Sequence, residues 1–173
     1  HELYCSGHLI EAACTYYEAT GKRKLLDIAV KNAECIYDRF VMQNTEGIPG
    51  HPEIELALLR LYRLTENKHF LELAKKFINE RGKAPDFWAR EAKKRSWSVW
   101  NSDPWGNDYR QSAKPVREQT EAVGHAVRAV YLYTGMADLA AETEDKELFA
   151  ACRRLWENIV HRKMYITGGI GST

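Results

Sequence analysis

Imidazole can donate or accept a hydrogen bond, move a proton near neutral pH or bind a metal. Three histidines of this 173-residue sequence recur at matching places. His1, His51 and His125 stand 19, 14 and 18 residues before Thr20, Thr65 and Thr143, threonines that each open a similar polar turn. If helices run from the histidines to the turns, that separation is on the order of 21–28 Å at the α-helical rise. All three rings are then expected at one end of the molecule, opposite the turns. Where the helices carrying them line a cavity, the rings converge on a shared polar pocket. His8, His69 and His161 lack that placement, and surface or packing roles are expected for them.

Other reactive groups are less informative. Glu121 and His125 are four residues apart, a spacing that pairs two side chains on one helix face. Glu53 stands at the start of an apolar-periodic segment, where a negative charge suits the helix dipole, so a structural role is expected for it. Hydrolysis of a glycoside needs two carboxyl-type groups, or substitutes for them, across the scissile bond, and no pair here is identified by spacing. Cys5, Cys14, Cys35 and Cys152 form no Cys-x-x-Cys pair and have no histidine at zinc-finger spacing. They read as free, partly buried thiols, in keeping with a reducing compartment. The Gly168-Gly169-Ile170-Gly171-Ser172 stretch lacks the lysine of a phosphate-binding loop, and phosphate binding is not expected.

The elements that must position these residues come in pairs. Helical patterns cover about 3–19 and 23–41, 52–64 and 68–80, and 120–143 and 146–162. The second member of each pair carries a single apolar stripe. Leu25, Ala29, Ile36 and Phe40 form one, Phe70, Ala74 and Phe77 another, and Leu148, Cys152, Leu155 and Ile159 a third. The first members, as in Leu56-Ala57-Leu58-Leu59 and the run from Ala126 to Leu132, are apolar nearly all round and predict helices covered on several sides. The turns starting at Thr20, Thr65 and Thr143 align without gaps, at intervals of 45 and 78 residues. One wrapped helix followed by one surface helix, three times over, predicts two concentric layers.

The longer interval accommodates an insert at about 82–118. It holds Trp88, Trp97, Trp100 and Trp105, four of the five tryptophans, with Pro85, Pro104 and Pro115 interrupting any continuous helix. Flat rings there can stack on sugars, but packing in the insert's own small core is the expected role for each. A net charge of +1 gives no electrostatic argument for nucleic acid or a membrane surface. No apolar run approaches the ~18 residues of a membrane span.

Four stretches carry a resemblance: His1-Glu2-Leu3-Tyr4-Cys5, Gly50-His51-Pro52-Glu53-Ile54-Glu55, the run from Arg117 to Arg128 that includes Gly124-His125-Ala126, and Met164 to Ser172. In this order they resemble glycoside hydrolase family 127, the β-L-arabinofuranosidase family. The resemblance implies an all-α fold: about three antiparallel helical hairpins forming half of an (α/α)6 toroid, with the family's β-domains absent. It implies a carbohydrate substrate, and His1, His51 and His125 as the residues that contact it. The family's zinc-bound cysteine nucleophile and its acid/base glutamate are expected beyond Thr173. No catalytic residue or metal ligand is therefore assigned in this chain, and zinc is expected in the complete enzyme. Ala113 departs from the pattern, since many members are expected to carry histidine there.

The chain opens without methionine, so a longer parent protein is expected, as is a lack of hydrolysis by the isolated 173 residues. Self-association, or cover from a longer chain, is expected to bury the apolar first-layer surface that half a toroid leaves open. A helical-repeat binding module, or another (α/α)6 sugar enzyme such as an unsaturated glycuronidase or epimerase, is the alternative reading.

Overall fold

The computed structural model describes residues 1–95 and 106–171. Three hairpins dominate: α1 (Glu2–Thr20) with α2 (Lys24–Tyr37), α3 (Ile54–Thr65) with α4 (Lys68–Glu80), and, after two short helices, α7 (Ala126–Thr143) with α8 (Lys146–Asn158). The short ones are α5 (Phe87–Arg95) and α6 (Gly106–Tyr109). No strand occurs among the described residues beyond a single bridge between Met164 and Ile170.

The turns repeat in structure as they do in sequence. Thr20, Thr65 and Thr143 each donate a hydroxyl hydrogen bond to the carbonyl four residues back, at 2.6, 2.7 and 2.7 Å. The residue after each threonine is left-handed, and its N–H returns to the last helical turn, satisfying a carbonyl that helix geometry would otherwise orphan. Asn67 and Asp145 then cap α4 and α8 by accepting from the backbone N–H groups of His69 and Leu148.

Two layers result. α1, α3 and α7 pack side by side in that spatial sense, α3 between the other two, and each rests on its own outer partner. The α4 stripe is completely buried at Phe70, Ala74 and Phe77, and in α8 Leu148 and Leu155 are buried while Cys152 is only partly so. α3 is covered on several sides, with Ile54, Ala57, Leu58, Leu59 and Leu61 inaccessible. α7 is not wrapped to the same degree: Val127 and Val130 remain exposed, as do Leu9 and Tyr16 of α1.

The α1–α3 approach depends on Gly7. A Cβ there would lie 1.6 Å from Oε2 of Glu53 and 2.8 Å from Cα of Ile54. Gly7→Ala is therefore expected to force the helices apart and destabilise the chain by about 2–3 kcal/mol, the upper range for overpacking a core. Thermal or urea unfolding checks this; a midpoint equal to that of the native chain would show that the contact relaxes without cost.

One helix starts later than its apolar pattern predicts. Residues 120–125 are not helical, and α7 begins at Ala126 with His125 as its N-cap. The reason lies in Gly124, which is left-handed (φ +78°) and packs so closely that a Cβ would meet the carbonyl oxygen of Asp108 at 2.2 Å. Glu121 and His125 consequently do not share a helix face. Glu121 instead pairs with Lys163 at 2.8 Å on the surface. α2 and α8 also end earlier than their stripes suggest, each passing into a wider π turn, Asp38–Met42 and Ile159–Lys163.

In the insert, Trp88 belongs to a local core. Its indole N–H donates to Ser112 Oγ at 3.1 Å, Phe87 meets it edge-on at 4.9 Å, and the Arg110 guanidinium lies over it at 5.1 Å. Trp97, Trp100 and Trp105 fall outside the described residues. The Gly168-Gly169 segment forms a tight turn in which the Tyr165 N–H donates to Gly169 O and the Gly168 N–H to Tyr165 O. No helix of the described residues is long and apolar enough to cross a membrane.

Candidate functional site

The three first-layer helices start at the same end of the molecule, and their leading histidines meet there. His1 precedes α1, His51 lies in the loop before α3, and His125 caps α7. Ring centroids are 6.3 Å apart for His1 and His51 and 6.1 Å for His51 and His125. The convergence expected from spacing is thus present, with His51, from the loop that leads into the middle helix, at its centre.

Tyrosines not singled out by the sequence complete the cluster, together with His8, for which only a surface or packing role was expected. Tyr4 stands one turn beyond His1 and lies 4.6 Å from the His51 ring; Tyr131 of α7 lies 5.9 Å from the same ring. His8 continues the α1 face, meeting Tyr4 edge-on at 4.4 Å and Tyr131 at 6.1 Å. Tyr4 and His8 are three and seven residues from His1, so one-face helical spacing was a usable signal for both. Tyr109 adds an edge contact to His125 at 5.4 Å. The other two histidines are elsewhere: His69 stacks flat on Tyr37 at 4.2 Å in the outer layer, and His161 is exposed in the π turn after α8.

The loops carrying His51 and His125 are held by buried polar groups. Arg81 has no solvent exposure, donates to the carbonyls of Pro49 (2.7 Å) and Arg110 (2.9 Å), and pairs with the equally buried Glu55 at 3.4 Å. Glu55 also accepts from the Glu53 N–H at 3.0 Å. Arg128 donates to the Gly50 carbonyl and lies 4.9 Å over the Tyr109 ring. Gln111, likewise buried, donates to the carbonyls of Val123 and His125 at 2.9 and 3.4 Å. Three loops that a sequence shows as separate are thus cross-linked beneath the histidines.

Burial bears on the charge of two groups here, His51 and Glu53. Burial, reinforced by the charges of Arg128 and Arg81, holds the His51 pKa below its ordinary value, against the opposing effect of its bond to Pro52 O. Burial also pushes the Glu53 carboxyl up to about 8, with Glu11 and Glu55 adding to the shift. The favourable helix-start charge expected of Glu53 is therefore not realised at neutral pH: its side chain makes no capping bond, and Oε2 has no partner. Its Oε1 lies 3.5 Å from His8 Nδ1.

The thiols do not fit a zinc-thiolate centre. Cys14 lies inside the core and burial pushes its pKa to about 11; Cys152, partly buried in the outer layer, is pushed up to about 11 for the same reason. Cys5 and Cys35 are exposed and stand on different helices, and no group of three or more His, Cys, Asp or Glu able to hold a metal occurs among the described residues. The site as built offers hydrogen-bonding rings on aromatic walls, suited to a neutral, hydroxyl-bearing ligand.

Similarity to known proteins follows the same lines. The chain is 43% identical over 182 residues to a non-reducing end β-L-arabinofuranosidase of Bifidobacterium longum subsp. longum, an alignment covering all of this chain and 27% of that protein. A crystal structure of a family 127 β-L-arabinofuranosidase from Geobacillus stearothermophilus T6 matches with a TM-score of 0.92 at 50% identity, over 100% of this chain and 28% of that one. A second solved β-arabinofuranosidase of family 127 matches with a TM-score of 0.82 at 46% identity, over 99% and 24%. The chain therefore spans about a quarter of the length of these relatives, and its two-layered hairpins agree with a partial (α/α)6 toroid. The family model for the β-L-arabinofuranosidase GH127 catalytic domain matches residues 1–173, and the chain belongs to glycoside hydrolase family 127.

Proposed function

We propose that this chain forms one wall of the sugar pocket of a β-L-arabinofuranosidase, with His1, His51 and His125 hydrogen-bonding the hydroxyls of the terminal sugar. The observation that carries the proposal is the convergence of three imidazoles from three separate helices. Tyr4 and Tyr131 supply flanking aromatic surface. The relatives described above are arabinofuranosidases, which supports the choice of sugar.

The proposal gives this chain binding and orientation, and gives it no reacting atom. The zinc-held thiolate and acid/base carboxyl that the family resemblance implies would be supplied by parts of the parent enzyme outside this span, which matches 27% of the Bifidobacterium relative's length. The chain by itself is accordingly expected to bind methyl β-L-arabinofuranoside without hydrolysing it.

Nuclear magnetic resonance titration of the chain with that glycoside tests the reading. Imidazole resonances of the trio should move on addition, and His51→Ala should weaken binding about tenfold, the effect of losing one buried hydrogen bond with its packing. Saturation of the sugar against unmoved His1, His51 and His125 signals would sink the proposal, as would an unchanged affinity in His51→Ala.

A further inference from the structure

His51 and His125 are not equivalent hydrogen-bonding groups, and the difference can be read from their partners. Nδ1 of His51 lies 2.7 Å from the carbonyl oxygen of Pro52. A carbonyl only accepts, so this nitrogen carries the proton. With burial disfavouring the charged ring, Nε2 of His51 is left as a bare lone-pair acceptor. His125 is arranged the other way. Its Nδ1 accepts from the Arg128 backbone N–H at 3.4 Å, in the position of a helix N-cap. An amide N–H only donates, so Nδ1 is bare and the proton sits on Nε2.

We infer that His51 and His125 form a polarity-coded pair, one ring nitrogen accepting and the other donating, which reads two neighbouring hydroxyls of a sugar as a one-directional hydrogen-bond chain. The inference rests on the sugar-pocket reading above and specifies which chemical feature of the sugar that pocket selects. The ring centroids are 6.1 Å apart at an interplanar angle of 72°, close enough for two adjoining hydroxyls of one sugar to reach both rings. The chain runs from His125 Nε2–H to the first hydroxyl oxygen, from that hydroxyl to its neighbour, and from the neighbour to His51 Nε2. Every donor and acceptor along it is used once, and bonds aligned in one direction polarise and strengthen one another.

The arrangement discriminates between substituents as well as positions. The hydroxyl facing His51 must donate, whereas the one facing His125 need only accept from the ring. A fluorine accepts weakly and cannot donate, so fluorine at the two positions is expected to have unequal consequences. An ammonium group at the position facing His125 has no lone pair to accept from its N–H and would be rejected, which favours neutral vicinal diols.

Two measurements on the 173-residue chain test this. Long-range proton–nitrogen correlation spectra should show His51 protonated on Nδ1 and His125 on Nε2. Affinity for methyl β-L-arabinofuranoside should then be compared with that for its deoxyfluoro analogues at the adjacent ring hydroxyls. One analogue is expected to bind about tenfold more weakly, and its neighbour distinctly less so. The same tautomer on both rings, or equal losses for the two analogues while the parent sugar still moves the trio's signals, would overturn the inference and leave the sugar pocket standing. A parent glycoside that moves none of the three rings would remove both together. Opposite tautomers with unequal losses, the weaker binder failing to shift His51 Nε2, would establish the pair.

Discussion

Arg81→Met is expected to lower the unfolding free energy by about 3–5 kcal/mol, as removal of one partner from a buried ion pair does. The guanidinium is inaccessible, and so is its partner Glu55. Methionine fills similar volume but leaves Glu55 without its counter-charge and takes the donor from the carbonyls of Pro49 and Arg110. Those carbonyls belong to the loops that lead to His51 and Tyr109, so the loss falls beneath the histidine cluster. Removing both charges, in Arg81→Met with Glu55→Leu, should recover part of the loss, because an uncompensated buried charge no longer remains. Recovery is expected to be incomplete, since the two carbonyls and the Glu53 N–H stay unpaired. Urea unfolding of the three chains measures this; an Arg81→Met chain within 1 kcal/mol of native would show that the loops are held by something else.

Much of the layering was legible in the residue order, because it rests on local physics. A threonine closing each inner helix, a polar turn and a single apolar stripe on the next helix are periodic features, and they recur at Thr20, Thr65 and Thr143. The histidine trio was legible for the same reason, since separations of 19, 14 and 18 residues from equivalent turns put three residues at one end. The start of α7 was not. Ala122 and Val123 continue the apolar pattern, and what stops the helix is the contact of Gly124 with the Asp108 carbonyl, made by a loop whose path the pattern does not specify. Arg81 was hidden by its chemistry: a basic residue just past a helix end reads as solvated, and its main partners are backbone carbonyls with no residue signature.

Glu53 shows the same limit, with a larger consequence. Its burial depends on Gly7, a residue on another helix, whose missing side chain leaves the space that the carboxyl occupies. Nothing in the stretch around Glu53 reports this. The segment shows a carboxyl at a helix start, and the helix-dipole argument then predicts a charge that burial suppresses.

Stability is therefore expected to fall as pH rises, in a window that Glu53 defines. The carboxyl titrates near 4.5 when unperturbed and at about 8 in the folded chain, so the folded state holds the proton more tightly than the unfolded state does. Its contribution is fully present below pH 4.5 and is lost progressively as pH climbs through about 8. The slope approaches about 1.4 kcal/mol per pH unit within the window, on the order of 5 kcal/mol across it. Asp145, held beside Arg117, titrates below this range. His51, whose pKa burial lowers from 6.5, adds an opposing rise of stability with pH in the lower part of the window, a contribution that a Glu53 variant shares and that cancels in the comparison. Glu53→Gln keeps the shape and cannot ionise. It should match the native chain near pH 5, exceed it by a few kcal/mol at pH 8, and show a flatter curve between. Unfolding free energies measured at half-unit steps from pH 5 to 8.5 decide the matter. Parallel curves for the two chains would mean that Glu53 ionises freely, and that His8, at 3.5 Å, or a rearrangement around Gly7 accommodates the charge.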